Sequence, residues 1–171
     1  SQWYEKAAAQ GNARAMHNLA VIHAMGNPPS IQPNMDKAVS WFKKAAKFGI
    51  KDSQFNLGIL YGQGMGVPQN LSVSYTWFAL AAKTGDADAS KKRDEVANAM
   101  DPDDLADARR AVNNWAPNKL KESVNRVAVP EEWRGNARGS AASVAPQSDQ
   151  LVKQAQALLN QRGFNVGEPD G

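Results

Sequence analysis

Trp41-Phe42-Lys43-Lys44-Ala45-Ala46-Lys47-Phe48-Gly49 decides how this chain folds, because the same figure stands in it twice more. It occurs earlier as Trp3-Tyr4-Glu5-Lys6-Ala7-Ala8-Ala9-Gln10-Gly11 and later as Trp77-Phe78-Ala79-Leu80-Ala81-Ala82-Lys83-Thr84-Gly85, at spacings of 38 and 36 residues. Each copy opens on an aromatic pair, carries alanine at its fifth and sixth positions and ends on glycine. A second run follows the glycine: Ala15-Met16-His17-Asn18-Leu19-Ala20 matches Ser53-Gln54-Phe55-Asn56-Leu57-Gly58, and Ala89 opens a degenerate third copy. A period of this length fixes the architecture before any single motif is weighed.

Aromatic and alanine positions at i, i+1, i+4 and i+5 form one apolar stripe of a helix, and its alternation of large and small residues lets a second helix approach closely. Gly11, Gly49 and Gly85 fall where a left-handed residue ends a helix, and Asn12 or Asp86 then begins the next. The pattern predicts helices over 2–10, 13–25, 35–48, 52–62, 71–84 and 87–99. Connections this short force antiparallel hairpins, and hairpins that cannot hide their apolar faces alone bury them by stacking. Two longer loops, 26–34 and 63–70, are dense in proline and glycine and separate the hairpins.

Residues 101–117 read as a closing helix, with Asp101 as N-cap, Pro102 at the first helical position, acids in the first turn and Pro117 as the stop. From about 118 to 147 the period is lost and the composition turns small and polar, as in a linker. Ser148 then opens a last amphipathic run through Leu151, Val152, Ala155, Leu158 and Leu159, closed by Gly163. The fold expected is therefore an all-α, right-handed solenoid of about two and a half repeats with its cap over 1–117, then a linker over 118–147 and a partial helix over 148–171.

The chain holds no cysteine, which removes disulfides, thiolate metal sites and cysteine nucleophiles together. Its formal charge of +3 comes from lysines and arginines interspersed with acids, so no basic stripe singles out nucleic acid as a partner. No run approaches the roughly 18 apolar residues of a membrane span, and no signal peptide opens the chain. It reads as an excised piece whose targeting elements lie outside it.

Chemistry-bearing patterns each meet a structural reading that fits better. His17 and His23 stand six apart, roughly 120° off a shared helix face, and occupy the positions of Phe55 and Tyr61; they fill aromatic places rather than bind a metal. Gly62-Gln63-Gly64-Met65-Gly66 follows a helix rather than a strand and lacks the Lys-Ser/Thr of a phosphate loop. Asp101, Asp103, Asp104 and Asp107 suit a helix N-terminus and lack the glycine and glutamate of a calcium loop. Trp3, Trp41 and Trp77 read as core anchors. No cofactor and no catalytic residue are expected.

Asn56-Leu57-Gly58-Ile59-Leu60-Tyr61, then Gly64-Met65-Gly66-Val67, then Trp77-Phe78 with Ala81-Ala82 and Gly85, resembles the Sel1-like repeat, a relative of the tetratricopeptide repeat that builds α-solenoids for holding partner proteins. The resemblance covers about residues 1–100; the first copy departs from it where Pro28 to Pro33 replace the Gly-rich turn and where His23 stands in place of tyrosine. Val152, Gln156, Leu159, Gly163-Phe164, Gly167 and Asp170-Gly171 resemble the opening third of the bacterial peptidoglycan-binding domain. The pairing is similar to that of the PodJ-like polarity factors of alphaproteobacteria, a family of single-pass inner-membrane organisers.

That resemblance implies a non-catalytic scaffold in the periplasm, part of a membrane-anchored protein that recruits partners for cell polarity or polar organelle development. In tetratricopeptide-like stacks the helices that follow Gly11, Gly49 and Gly85 line a concave groove. The groove positions implied are Arg14, His17, Asn18, Val21 and Met25 in the first and Asp52, Phe55, Asn56, Ile59 and Gln63 in the second, taking a protein or peptide ligand. The paired Asn18 and Asn56 stand out, since a carboxamide both donates to and accepts from a peptide backbone. Two other classes stay open: a peptidoglycan-binding module completed beyond residue 171, and the targeting part of a cell-wall hydrolase.

Overall fold

The computed structural model describes residues 2–26 and 32–125. Among them every regular element is helical: α1 (Gln2–Ala9), α2 (Ala13–Met25), α3 (Met35–Ala46), α4 (Lys51–Gln63), α5 (Leu71–Ala82), α6 (Ala87–Asn98), α7 (Pro102–Asn114) and the short α8 (Glu122–Asn125). The segment 148–171, with its expected helix, lies outside the described residues.

Short polar side chains start α2, α3, α5, α6 and α7. The side chains of Asn12, Asn34, Asn70 and Asp86 accept from the N–H three residues on, at 2.8–2.9 Å, and Asp101 accepts from Asp103 N–H at 3.0 Å with Pro102 following. Each satisfies one of the N–H groups that a helix start leaves without a partner. The ends are as regular. Gly11, Gly49 and Gly85 have φ of 98°, 82° and 87°, a region that a β-carbon makes costly, so the repeat's closing glycine is what turns α1 into α2, α3 into α4 and α5 into α6.

The helices pack as consecutive antiparallel neighbours, most extensively α2 on α3 and α4 on α5. The main core lies between them, with Val21, Ala38, Phe42, Leu57, Leu60 and Phe78 almost wholly buried. A second cluster joins α1, α2 and α3 around Ala8, Leu19 and Ala45; a third joins α5 to α7 around Tyr75, Leu80, Ala108 and Val112. The closing helix therefore caps α5, and Lys83 Nζ adds a 2.9 Å bond to the Val112 carbonyl near its C-terminus.

Trp41 and Trp77 each pack against two of these clusters and so join successive repeats. Trp3 is a correction: it is 84% exposed rather than a core anchor, because α1 packs chiefly on α2 and leaves its other side open. Of the expected linker, 118–125 is described, and it does not leave the stack: Asn118 N–H donates to the Lys47 carbonyl at 2.7 Å, and Asn125 bonds to the first turn.

Candidate partner-binding face

The helices after the turn glycines, α2 and α4, carry the ten residues implied as a groove. They lie against one another, for His17 Nδ1 and Ser53 Oγ share a 2.8 Å hydrogen bond although 36 residues separate them. Ser53 is the repeat equivalent of Ala15, so the two helices meet with their repeat positions offset by two residues. His17 packs on Phe42 of α3 with ring centroids 5.6 Å apart, and Phe55 packs edge-on to Phe78 of α5 at 5.2 Å. His17 thus fills the place that phenylalanine takes one repeat later.

These contacts divide the ten residues into two stripes. His17, Val21, Phe55 and Ile59 are buried against the aromatic helices, with Val21, Phe55 and Ile59 in the main core. Arg14, Asn18 and Met25, and their repeat equivalents Asp52, Asn56 and Gln63, form the second stripe, along the side of each helix. Arg14 and Gln63 are exposed, Asn18, Met25 and Asp52 are half-buried, and Asn56 is 0% exposed. The accessible part of the face is therefore Arg14, Asn18, Met25, Asp52 and Gln63.

Asn56 is unusual within it. Neither Oδ1 nor Nδ2 has a hydrogen-bond partner among the described residues, although both are out of reach of solvent. An unpaired buried polar group costs on the order of 1–3 kcal/mol. Its neighbours are satisfied: Gln54 Nε2 donates to the Ala46 carbonyl at 3.2 Å, and the Ser74 hydroxyl donates to the Gly58 carbonyl at 2.6 Å.

The loops at the far ends of the hairpins repeat as well. Asn34 N–H donates to the His23 carbonyl at 2.7 Å, and Asn70 N–H donates to the Tyr61 carbonyl at 2.9 Å, so His23 and Tyr61 hold one structural position. Burial, with the ammonium of Lys37 adding to it and Glu5 opposing it, holds the His23 imidazole below its ordinary range; its Nδ1 is buried without a partner among the described residues. Gly62 lies in the last turn of α4 and Gly64 and Gly66 form the connection to α5, where Gln69 Nε2 donates to the Gly62 carbonyl at 2.8 Å. Asp101, Asp103 and Asp104 stand at the start of α7, and Asp107 pairs with Arg110 on its surface. Among the described residues no group of three or more acids and histidines is arranged to hold a metal ion.

Comparison with known proteins follows the same register. The Sel1 repeat family matches residues 2–12, 13–47 and 51–86. Over 90 residues, 53% of this chain, the sequence is 31% identical to the chitin synthase regulator SKT5 of Saccharomyces cerevisiae. It is 33% identical over 95 residues, 56% of this chain, to chitin synthase regulatory factor 3 of Schizosaccharomyces pombe. It is also 33% identical over 89 residues, 48% of this chain, to the activator of C kinase protein 1 of S. cerevisiae. The stretch spans 13%, 10% and 14% of these relatives' lengths.

Among solved structures, a protective antigen of uropathogenic Escherichia coli strains with an SLR fold superposes with a TM-score of 0.61 at 22% identity, over 85% of this chain and 30% of that one. A Sel1 repeat protein from Oxalobacter formigenes superposes with a TM-score of 0.52 at 23% identity, over 67% of this chain and 90% of that one. Identity this low speaks for the fold alone. The recurring turn glycines and the packing of consecutive hairpins agree with the family match, and over 2–12, 13–47 and 51–86 this chain resembles the Sel1 repeat.

Proposed function

We propose that this chain is a non-catalytic scaffold that holds a protein partner along the side of α2 and α4. The observation that carries the reading is the His17–Ser53 contact, which sets α2 beside α4 and so places Arg14, Asn18 and Met25 on a helix next to the one that carries Asp52 and Gln63. A face that offers Arg14, Asn18, Asp52 and Gln63 along two adjacent helices suits a partner that is itself extended or helical, since such a partner offers groups at regular intervals. The likeness to fungal proteins named as regulators of a synthase and as the activator of a kinase supports a recruiting role over a catalytic one.

The test is photocrosslinking in the native host from single positions on the full-length protein. Crosslinkers at Arg14, Asn18 and Gln63 are expected to trap one common protein, and crosslinkers at Lys44 and Arg109, on α3 and α7, are expected not to. Loss of that product in Asn18→Ala supports the face, and trapping only from the control positions overturns it.

The resemblance of 148–171 to the start of a peptidoglycan-binding domain supports a finer reading: a periplasmic module of an inner-membrane protein that organises the cell pole. An alkaline phosphatase fused after residue 171 of the parent protein is expected to be active in cells; an inactive, intact fusion overturns that location. Co-sedimentation of the full chain with purified sacculi tests the alternative, direct binding to peptidoglycan.

A further inference from the structure

The chain after α7 turns back and runs over the short turns in reverse order. Trp115 packs on the third hydrophobic cluster. Pro117 then covers Gly49, 3.5 Å from where a β-carbon would stand, and Asn118 N–H donates to the Lys47 carbonyl at 2.7 Å. Lys47 caps the C-terminus of α3, where carbonyls have no partner within the helix.

Farther on the segment reaches the first turn. The Val124 side chain stands over Gly11, and the Val124 carbonyl accepts from Asn12 Nδ2 at 2.6 Å. Asn125 grips the turn from both sides: its Oδ1 accepts from Ala13 N–H at 3.0 Å and its Nδ2 donates to the Gly11 carbonyl at 3.2 Å. Ala13 is the first residue of α2, and its N–H is one of the donors that a helix start leaves open. Two helix ends, one carbonyl and one N–H, are thus satisfied by one returning segment.

We propose that residues 116–125 are a latch in cis, closing as one unit over the second and first turns and clamping the first hairpin to the rest of the stack. Repeat stacks ordinarily couple only neighbours, so each end frays by itself. Here hydrogen bonds between residues 112 to 114 positions apart tie the first hairpin to the chain beyond the cap. That hairpin has the greatest need of it, since α1 packs chiefly on α2 alone. Local opening begins where buried contacts are few, and among the described residues α1 is held chiefly by α2. Because α2 carries half of the proposed partner face, opening the latch loosens that half. This consequence rests on the functional reading above, whereas the latch itself does not.

Amide hydrogen exchange on the full chain tests it without any partner, so its failure and that of the binding face are separable. In Asn125→Ala the Ala13 amide is expected to exchange about fivefold faster or more, the effect of one typical hydrogen bond. The Asn118 amide, bonded to the other turn, is expected to quicken by a similar factor, while Leu57 and Leu60 in α4 keep their rates. A wild-type rate at Asn118 beside a faster Ala13 shows two separate contacts and no latch. An unchanged Ala13, or an equal acceleration at every amide, overturns the proposal as well.

Discussion

Replacing Gly58 with alanine sets two effects of opposite sign against each other, and the structure decides which wins. In an open helix the change stabilises by about 1 kcal/mol, since glycine gives up more backbone freedom on folding. Here a β-carbon at position 58 would stand 2.7 Å from Cδ1 and Cε1 of Phe78 and 2.8 Å from Cγ. Carbon atoms pack best at about 3.5–4.0 Å, so the overlap approaches an ångström. The ring has little room to yield: it is 2% exposed and wedged against the edge of Phe55. Nor does the backbone retreat freely, because the Gly58 carbonyl holds the Ser74 hydroxyl. Overpacking of this kind costs about 1–3 kcal/mol, and with ring and backbone both pinned the upper part of that range applies. The net expectation is a loss of about 1–2 kcal/mol. With a urea slope of about 2 kcal/mol per molar for a small protein, the unfolding midpoint should fall by roughly 0.5–1 M. In a Phe78→Leu background, where the clash is relieved, the same substitution should cost less or stabilise. A midpoint raised by Gly58→Ala in the wild-type background, or an equal cost in both, would refute the reasoning.

Other substitutions separate backbone from packing. Gly66 has φ 67° and a β-carbon there would meet the Met35 backbone at 2.9 Å, whereas Gly85, φ 87°, has nothing within 4 Å; thermal unfolding should show Gly66→Ala costing clearly more than the about 1–2 kcal/mol of left-handed strain expected for Gly85→Ala. Loss of the cap in Asn70→Ala should cost about 1 kcal/mol in urea unfolding, and Asn70→Asp should keep most of it. Because His23 is held below its ordinary range, the unfolded chain takes up a proton more readily, so this residue's contribution is present above pH about 6.5 and lost as the pH falls toward its lowered folded value. His23→Tyr, the residue found at position 61, should therefore flatten the fall in urea midpoint between pH 7.5 and 5.5, and an unchanged fall would contradict this.

The helices were legible because their signal is local. A nine-residue figure that returns with its glycine marks both the stripe and its end, and α2 begins and ends where the pattern places it. The aromatic-alanine helices stop sooner than expected, at Ala46 and Ala82, because Phe48 and Gly49 in the one and Lys83, Thr84 and Gly85 in the other donate three residues back rather than four and tighten the last turn. Composition does not reveal that tightening.

The face was legible only in part. Periodicity assigns Arg14, Asn18, Val21 and Met25 to one side of α2, but it does not say where the core ends along that side. Val21 and Ile59 fall inside the core, and Asn56 is closed over while its repeat equivalent Asn18 is half-open. The returning segment had no signature. Its contacts use backbone groups and the carboxamide of Asn125, and neither a period nor a run of apolar residues announces them. Trp3 shows the reverse error, since a repeat position names a core residue only where a neighbour exists to cover it.

In this stack α2 and α4, whose contacting residues His17 and Ser53 are 36 positions apart, are neighbours. A double-mutant cycle on His17 and Ser53 tests it most directly, using His17→Phe, Ser53→Ala and the pair, with each variant unfolded in urea. The 2.8 Å bond between these buried side chains predicts a coupling of about 0.5–1.5 kcal/mol. Free energies that simply add would contradict the stack.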